Sequence, residues 1–148
     1  MRRVCILAED VSSVDPCTVA LLREHDFEVK EIPHNHALPQ EEVYDFIREA
    51  DAVIAGAERY DAALLDKLPN LKVIARRGVG FDNVDVTAAE QRGIRVTRTV
   101  GAVEEAVAEL TMAFVLDFAR LVPQQDMAMK QGKWKRMLAT GLSGKTIG

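Results

Sequence analysis

The sequence has few cysteines, few aromatic residues and no long apolar run, and each shortage narrows what the chain can be. Its two cysteines, Cys5 and Cys17, have no CxxC spacing and exclude a disulfide framework. Cys5 falls in an expected strand and Cys17 in an expected helix, where both are read as small buried apolar side chains rather than nucleophiles. The one long apolar stretch, Leu110 to Ala119, contains Thr111 and Asp117 and falls well short of the ~20 residues that cross a bilayer. No membrane span is expected. Met1-Arg2-Arg3 leads straight into Val4 to Ala8, too short an apolar run for a signal peptide and without a small-residue cleavage site, so the protein reads as cytoplasmic.

What is there describes an ordinary globular protein: 148 residues, 48% hydrophobic, 28% charged and a formal net charge of -4. A core of this size buries roughly two thirds of the surface of the unfolded chain, so folding needs neither metal nor staple. The charge is uneven, because Val122 to Gly148 hold Lys130, Lys133, Lys135, Arg136 and Lys145 against the single acid Asp126. Without aromatics interleaved beyond Trp134, this tail reads as a solvated face, and no nucleic acid partner is expected.

Strand-like and helix-like segments alternate from the start. Arg3 to Ala8, Phe27 to Ile32, Ala52 to Ala55, Leu71 to Ala75 and Ile94 to Thr97 read as strands. Asp15 to His25, Pro39 to Ala50, Tyr60 to Leu68 and Val84 to Arg92 read as helices, the last closed by Gly93. Pro33 to Leu38 is a polar loop. The alternation predicts an α/β fold, a flavodoxin-like doubly wound parallel sheet of five strands in the order 2-1-3-4-5, covered on both faces. Beyond it Val103 to Val122 predicts one long helix, Pro123 begins a second to about Lys133, and Trp134 to Ser143 reads as loop. Lys145-Thr146-Ile147 looks like a strand beginning just before Gly148, and the sequence therefore reads as cut there. The expected division is residues 1–101 as the sheet domain and 102–148 as crossing helices with that first strand.

The segment richest in chemistry is Leu71 to Asp85, where a strand runs into Arg76-Arg77-Gly78-Val79-Gly80. Ligands of parallel sheets bind beyond the carboxyl ends of the strands, and glycines there expose backbone N–H donors suited to an anion. Arg76 and Arg77 add positive charge beside them. Plain turn glycines are the competing reading.

The wider pattern supports the ligand reading. Asp51-Ala52-Val53-Ile54, Asn70 to Asp85, Arg92 to Thr97, Ala106 to Leu110, Gly132-Lys133-Trp134 and Gly144 to Gly148 follow one another in a familiar order and spacing. Through them residues 51–147 resemble the N-terminal part of the D-isomer-specific 2-hydroxyacid dehydrogenases, the family that includes D-3-phosphoglycerate dehydrogenase. The resemblance implies a substrate domain interrupted by a Rossmann domain, with hydride moving between NAD or NADP and the hydroxyl-bearing carbon of a 2-hydroxy acid. It places Val79 and Gly80 as backbone donors to the substrate carboxylate, with Arg77 and Gly78 beside them and Ala57 and Glu58 lining the same cleft. Residues 104–121 would cross toward the Rossmann domain, and Lys145 to Gly148 would be its first strand.

Other family features are missing from these residues. There is no Gly-x-Gly-x-x-Gly loop, and His25, His34 and His36 do not match the catalytic histidine, so no catalytic residue and no cofactor site is assigned. The chain alone is expected to be inactive and to bind no NAD(P), while accepting a small 2-hydroxy or 2-oxo acid. Arg98-Thr99-Val100-Gly101-Ala102-Val103 stands where the family has Asn-Thr-Pro-Gly-x-Asn, which leaves the particular acid open. Arg98 either meets an acidic group or is solvated. The broad apolar surface of Val103 to Val122 predicts a homodimer through that helix.

Other readings are weaker. Glu9 and Asp10 would suit a phosphoryl-accepting receiver, but Ala55-Gly56-Ala57 and Thr97-Arg98 lack its aspartate and lysine. His34 and His36 have no further ligand at metal spacing, and no metal site is expected. A non-catalytic module that binds a small anion or a protein partner is the alternative function.

Overall fold

The computed structural model describes residues 2–8, 10–32 and 38–148. Glu9 and the His34-Asn35-His36 segment, singled out above, lie outside the described residues. The chain divides into two units, Met1–Val100 and Gly101–Gly148.

In the first unit, β1 (Arg2–Ile6), β2 (Phe27–Glu31), β3 (Ala52–Ala55), β4 (Val73–Arg76) and β5 (Arg95–Arg98) form one sheet in the order β2-β1-β3-β4-β5. Every strand pair is parallel, which is the flavodoxin-like topology read from the alternation. Side chains point alternately to the two faces, so the register sorts residues into rows. Cys5, Val53, Ile74 and Val96 make one row. That face is covered by α3 (Gln40–Ile47), α4 (Ala62–Leu65) and α5 (Val86–Gln91), whose Val43, Ile47, Leu64, Leu65, Ala88 and Ala89 complete the larger core.

Ile6, Ile54, Ala75 and Thr97 make the next row, on the opposite face. There α1 (Val11–Val14) and α2 (Pro16–Glu24) supply Val11 and Val19 to a smaller core with Val4, Ile6 and Ala8. The cover is unequal: Ile6 is buried, Ile54 and Ala75 are half-buried and Thr97 is exposed. The expectation of a sheet covered on both faces thus holds for β1 to β3 and fails over β4 and β5, because the two short helices on this side reach only part of the sheet.

Three local expectations are corrected. Tyr60 and Val84, read as the first residues of helices, instead pair with each other in a parallel bridge. Each is followed by an aspartate that caps the helix: Asp61 accepts from Leu64 N at 2.9 Å and Asp85 from Ala88 N at 2.9 Å. Cys17 is exposed rather than buried, since it lies on the solvent side of α2, whereas Cys5 is fully buried in the sheet. Helix α1 has no counterpart among the expected elements, because four residues are too few to show a period.

The second unit holds α6 (Glu104–Arg120) and α7 (Val122–Lys130), joined at Leu121 with a left-handed φ of 57°. Glu104 reaches back across the start of α6, accepting from Gly101 N at 2.7 Å and Val103 N at 3.0 Å. These bonds hold its carboxyl below the usual range. Neither helix buries a residue. Lys145 to Ile147, expected to begin a strand, form none, since a strand exists only where a neighbour completes its ladder and this unit contains no other. Among the described residues no helix is long and apolar enough to cross a membrane.

Candidate functional site

The carboxyl ends of β3, β4 and β5 bring the residues of interest to one edge of the sheet. Gly56 follows β3, where a Cβ would lie 2.8 Å from Glu58 Oε1 and 3.2 Å from Leu7 O, so only glycine fits without displacement. The Gly56 N–H donates to Glu58 Oε2 at 2.8 Å, which turns that carboxylate back onto its own loop. Glu58 is half-buried and Ala57 beside it is exposed.

After β4, the Arg77 N–H extends the ladder to Ala55 O at 3.0 Å and Gly78 N–H turns back to Arg76 O at 3.0 Å. Gly78 has φ +148°, a conformation that other residues rarely adopt, and the Arg76 guanidinium lies where its Cβ would be. That guanidinium donates from Nη1 to the Arg77 carbonyl. Gly78 O in turn accepts from Thr99 N at 3.1 Å, which ties the end of β5 to this loop. Val79 is half-buried and Gly80 exposed, and neither N–H has a partner among the described residues. Two adjacent donors at the carboxyl edge of a parallel sheet, with Arg76 and Arg77 beside them, can hold a carboxylate.

The β3 and β4 loops are braced from behind. Asn83 Nδ2 donates to Glu58 O at 2.6 Å and to Gly56 O at 3.3 Å. Tyr60 N donates to Asn83 O at 2.8 Å, and Asp85 N to Tyr60 O at 2.9 Å. The Tyr60 ring is fully buried, and its hydroxyl has no hydrogen-bond partner among the described residues, as is true of the buried Arg76 Nε. Burial pushes the Tyr60 phenol well above its ordinary range, with the charge of Glu58 adding to the effect. Sequence reasoning singles out neither Asn83 nor Tyr60. Their partners lie more than twenty residues away, and nothing local marks them as braces.

A cavity of about 350 Å³ opens on the less covered face, and its lining includes Val11, Ile54 and Ala75 together with Arg76, Arg77 and Arg98. Of the residues expected to bind substrate only Arg77 lines it. Ala57, Glu58, Gly78, Val79 and Gly80 stand at the sheet edge but outside its wall.

Comparison with known proteins fits this geometry. Residues 5–144 match the family described as D-isomer specific 2-hydroxyacid dehydrogenase, catalytic domain. The hydroxypyruvate reductase of Thermotoga maritima is 39% identical over 134 residues, covering 88% of this chain and 42% of that protein. The D-3-phosphoglycerate dehydrogenase of Methanocaldococcus jannaschii is 40% identical over 124 residues, covering 82% and 24%. Among solved structures, a Thermus thermophilus protein superposes with a TM-score of 0.82 at 35% identity, covering 96% of this chain and 46% of its own. The NADPH-dependent glyoxylate/hydroxypyruvate reductase of Sinorhizobium meliloti, in complex with NADP and malonate, gives 0.74 at 28% identity, with 98% and 44% covered. The chain thus spans less than half the length of each of these proteins.

Proposed function

Because the chain belongs to the D-isomer specific 2-hydroxyacid dehydrogenase family, we propose that its sheet unit supplies the carboxylate-binding part of an NAD(P)-dependent oxidoreductase acting on a small 2-hydroxy or 2-oxo acid. The observation that carries this reading is the pair of unpartnered N–H groups at Val79 and Gly80, at the edge where parallel sheets bind ligands. In this proposal the substrate carboxylate lies on those donors. Gly78 allows its close approach, Arg77 contributes charge, and Ala57 and Glu58 form the opposite lip.

The residues present do not fit a dinucleotide. Gly78-Val79-Gly80 runs into an irregular loop rather than a helix, and a pyrophosphate cradle needs a glycine-rich turn opening directly into a helix N-terminus. We therefore assign NAD or NADP to no residue of the 148, assign no catalytic acid or base, and expect no NAD(P)-dependent turnover by this chain alone. Two unbridged cysteines accord with a reducing, cytoplasmic setting. Helix α6, with Phe114 and Phe118 on its exposed surface, is the proposed homodimer face.

The test is an amide chemical-shift titration with glycolate and lactate. Shifts centred on Ala57, Glu58 and residues 76–82 are expected. Shifts scattered elsewhere would remove the binding claim, and measurable cofactor oxidation would remove the claim of inactivity.

A further inference from the structure

The ladder between β3 and β4 ends at the bond from Arg77 N–H to Ala55 O, and among the described residues the two main chains meet again at the Tyr60–Val84 bridge. Between those points residues 56–59 run on one side and residues 78–83 on the other, and the Val79 and Gly80 donors belong to the second segment. Chain outside a ladder opens more readily than chain within one. Donors that wait in place for a ligand therefore need a hold beyond the two ends.

Asn83 supplies that hold. It is half-buried at the end of the longer segment, and its Nδ2 donates to Glu58 O at 2.6 Å and to Gly56 O at 3.3 Å, which uses both N–H bonds of the amide. The two carbonyls lie past the end of β3, and the side chain gives them the partners that a ladder gives elsewhere. Because the Gly56 N–H is bound to Glu58 Oε2, residues 56–58 curl on themselves and hang on Asn83 as a unit. The main chain beside Asn83 is fixed separately: its carbonyl accepts from Tyr60 N at 2.8 Å, and Val84 N donates to Phe81 O at 2.9 Å, closing a turn directly after Gly80. Removing the side chain thus breaks two bonds and leaves the main-chain bridge intact.

We propose that Asn83 is a positioning residue for the carboxylate, its side-chain amide holding residues 56–58 at a fixed distance from the Val79 and Gly80 donors so that the cleft is shaped before the acid arrives. The inference rests on the placement of the carboxylate at those donors. In this role Asn83 does not touch the acid; it spares binding the cost of ordering a loop.

The experiment titrates the 148-residue chain and its Asn83→Ala, Asn83→Asp and Ile47→Val variants with glycolate, following the Val79 and Gly80 amides and, in the unsubstituted chain, the Asn83 side-chain amide. Asn83→Asp keeps the size of the residue but offers no donor to the two carbonyls. Ile47→Val is the control for lost stability, since it thins the core at α3 and lies in neither loop. Both Asn83 variants should raise Kd about tenfold, whereas Ile47→Val changes it less than about twofold. The Asn83 side-chain resonances should shift with the same midpoint as Val79 and Gly80. An Asn83→Ala affinity within about twofold of the unsubstituted chain would overturn the proposal and leave the carboxylate loop standing, as would an equal loss in Ile47→Val. Should neither Asn83 variant fold, the side-chain amide decides: a shift with the common midpoint upholds the proposal and an unmoved resonance overturns it. Failure of glycolate to shift Val79 and Gly80 in the unsubstituted chain would overturn the loop reading and this inference together.

Discussion

Replacing Gly78 by alanine should destabilise the sheet unit mainly through the backbone. At φ +148° an L-residue is strained, and residues held in such regions cost about 1–3 kcal/mol. A Cβ would also lie 2.8 Å from Arg76 Nη1 and 3.2 Å from its Cζ. The guanidinium can swing aside, since it ends a flexible side chain, but it then leaves the Arg77 carbonyl, a net loss of about 1 kcal/mol. The two effects together predict a loss of about 2–4 kcal/mol. At roughly 4–8 °C per kcal/mol for a unit of this size, the melting midpoint should fall by about 10 °C or more. Thermal unfolding followed by circular dichroism reads the midpoint, and amide exchange in β4 localises the loss. The double variant Arg76→Ala, Gly78→Ala separates the causes. If backbone strain dominates, the glycine replacement still costs at least about 1 kcal/mol when Arg76 is already alanine. A loss below about 0.5 kcal/mol, the range of ordinary surface substitutions, would refute the reasoning, and so would complete relief by Arg76→Ala.

Four further outcomes are expected. Tyr60→Phe removes a buried hydroxyl that has no partner among the described residues and should leave stability unchanged or raise it by about 1 kcal/mol in urea unfolding; a comparable loss would mean that the hydroxyl is satisfied. A thiol reagent should label Cys17 in the native protein and Cys5 only after unfolding, because Cys5 is buried and desolvation pushes its thiol up to about 11; rapid labelling of both contradicts the burial. The carboxyl of Glu104 is held low, so its bonds to Gly101 and Val103 are present above the usual carboxyl range and are lost as pH falls through the lowered value. Glu104→Gln should accordingly speed exchange of those two amides at neutral pH, with the difference vanishing in acid. Phe118 is 88% exposed, and sedimentation should show self-association of the chain that Phe118→Asp weakens; a clean monomer at micromolar concentration counts against α6 as a contact face.

Much of the sheet unit is legible because its strands announce themselves. Ala52–Ala55 is apolar, bounded by Asp51 and Gly56, and forms the strand expected, and the repeated alternation with helices leads to the observed strand order. The glycines after β4 are legible for the same reason, as a break in an apolar run. Tyr60 misleads because Tyr60, Ala63 and Leu64 have helical spacing, while the bond that decides its conformation comes from Asn83. The bareness of the sheet over β4 and β5 depends on how far α1 and α2 reach, a property of packing rather than of any one segment. For the same reason the cavity draws in Arg98, whose neighbours Val11 and Ile54 are distant in sequence.

The bridge between Tyr60 and Val84 has a consequence for how such a protein changes over time. It fastens the loops after β3 and β4 to each other through main-chain atoms, and the donors those loops present at Val79 and Gly80 are main-chain atoms as well. Replacement of an exposed side chain there changes the surface of the loops and leaves the two donors where they are. If those donors hold a carboxylate as proposed, a lineage can exchange one acid for another by altering an exposed side chain such as that of Ala57, without rebuilding the grip on the carboxylate that all such acids share.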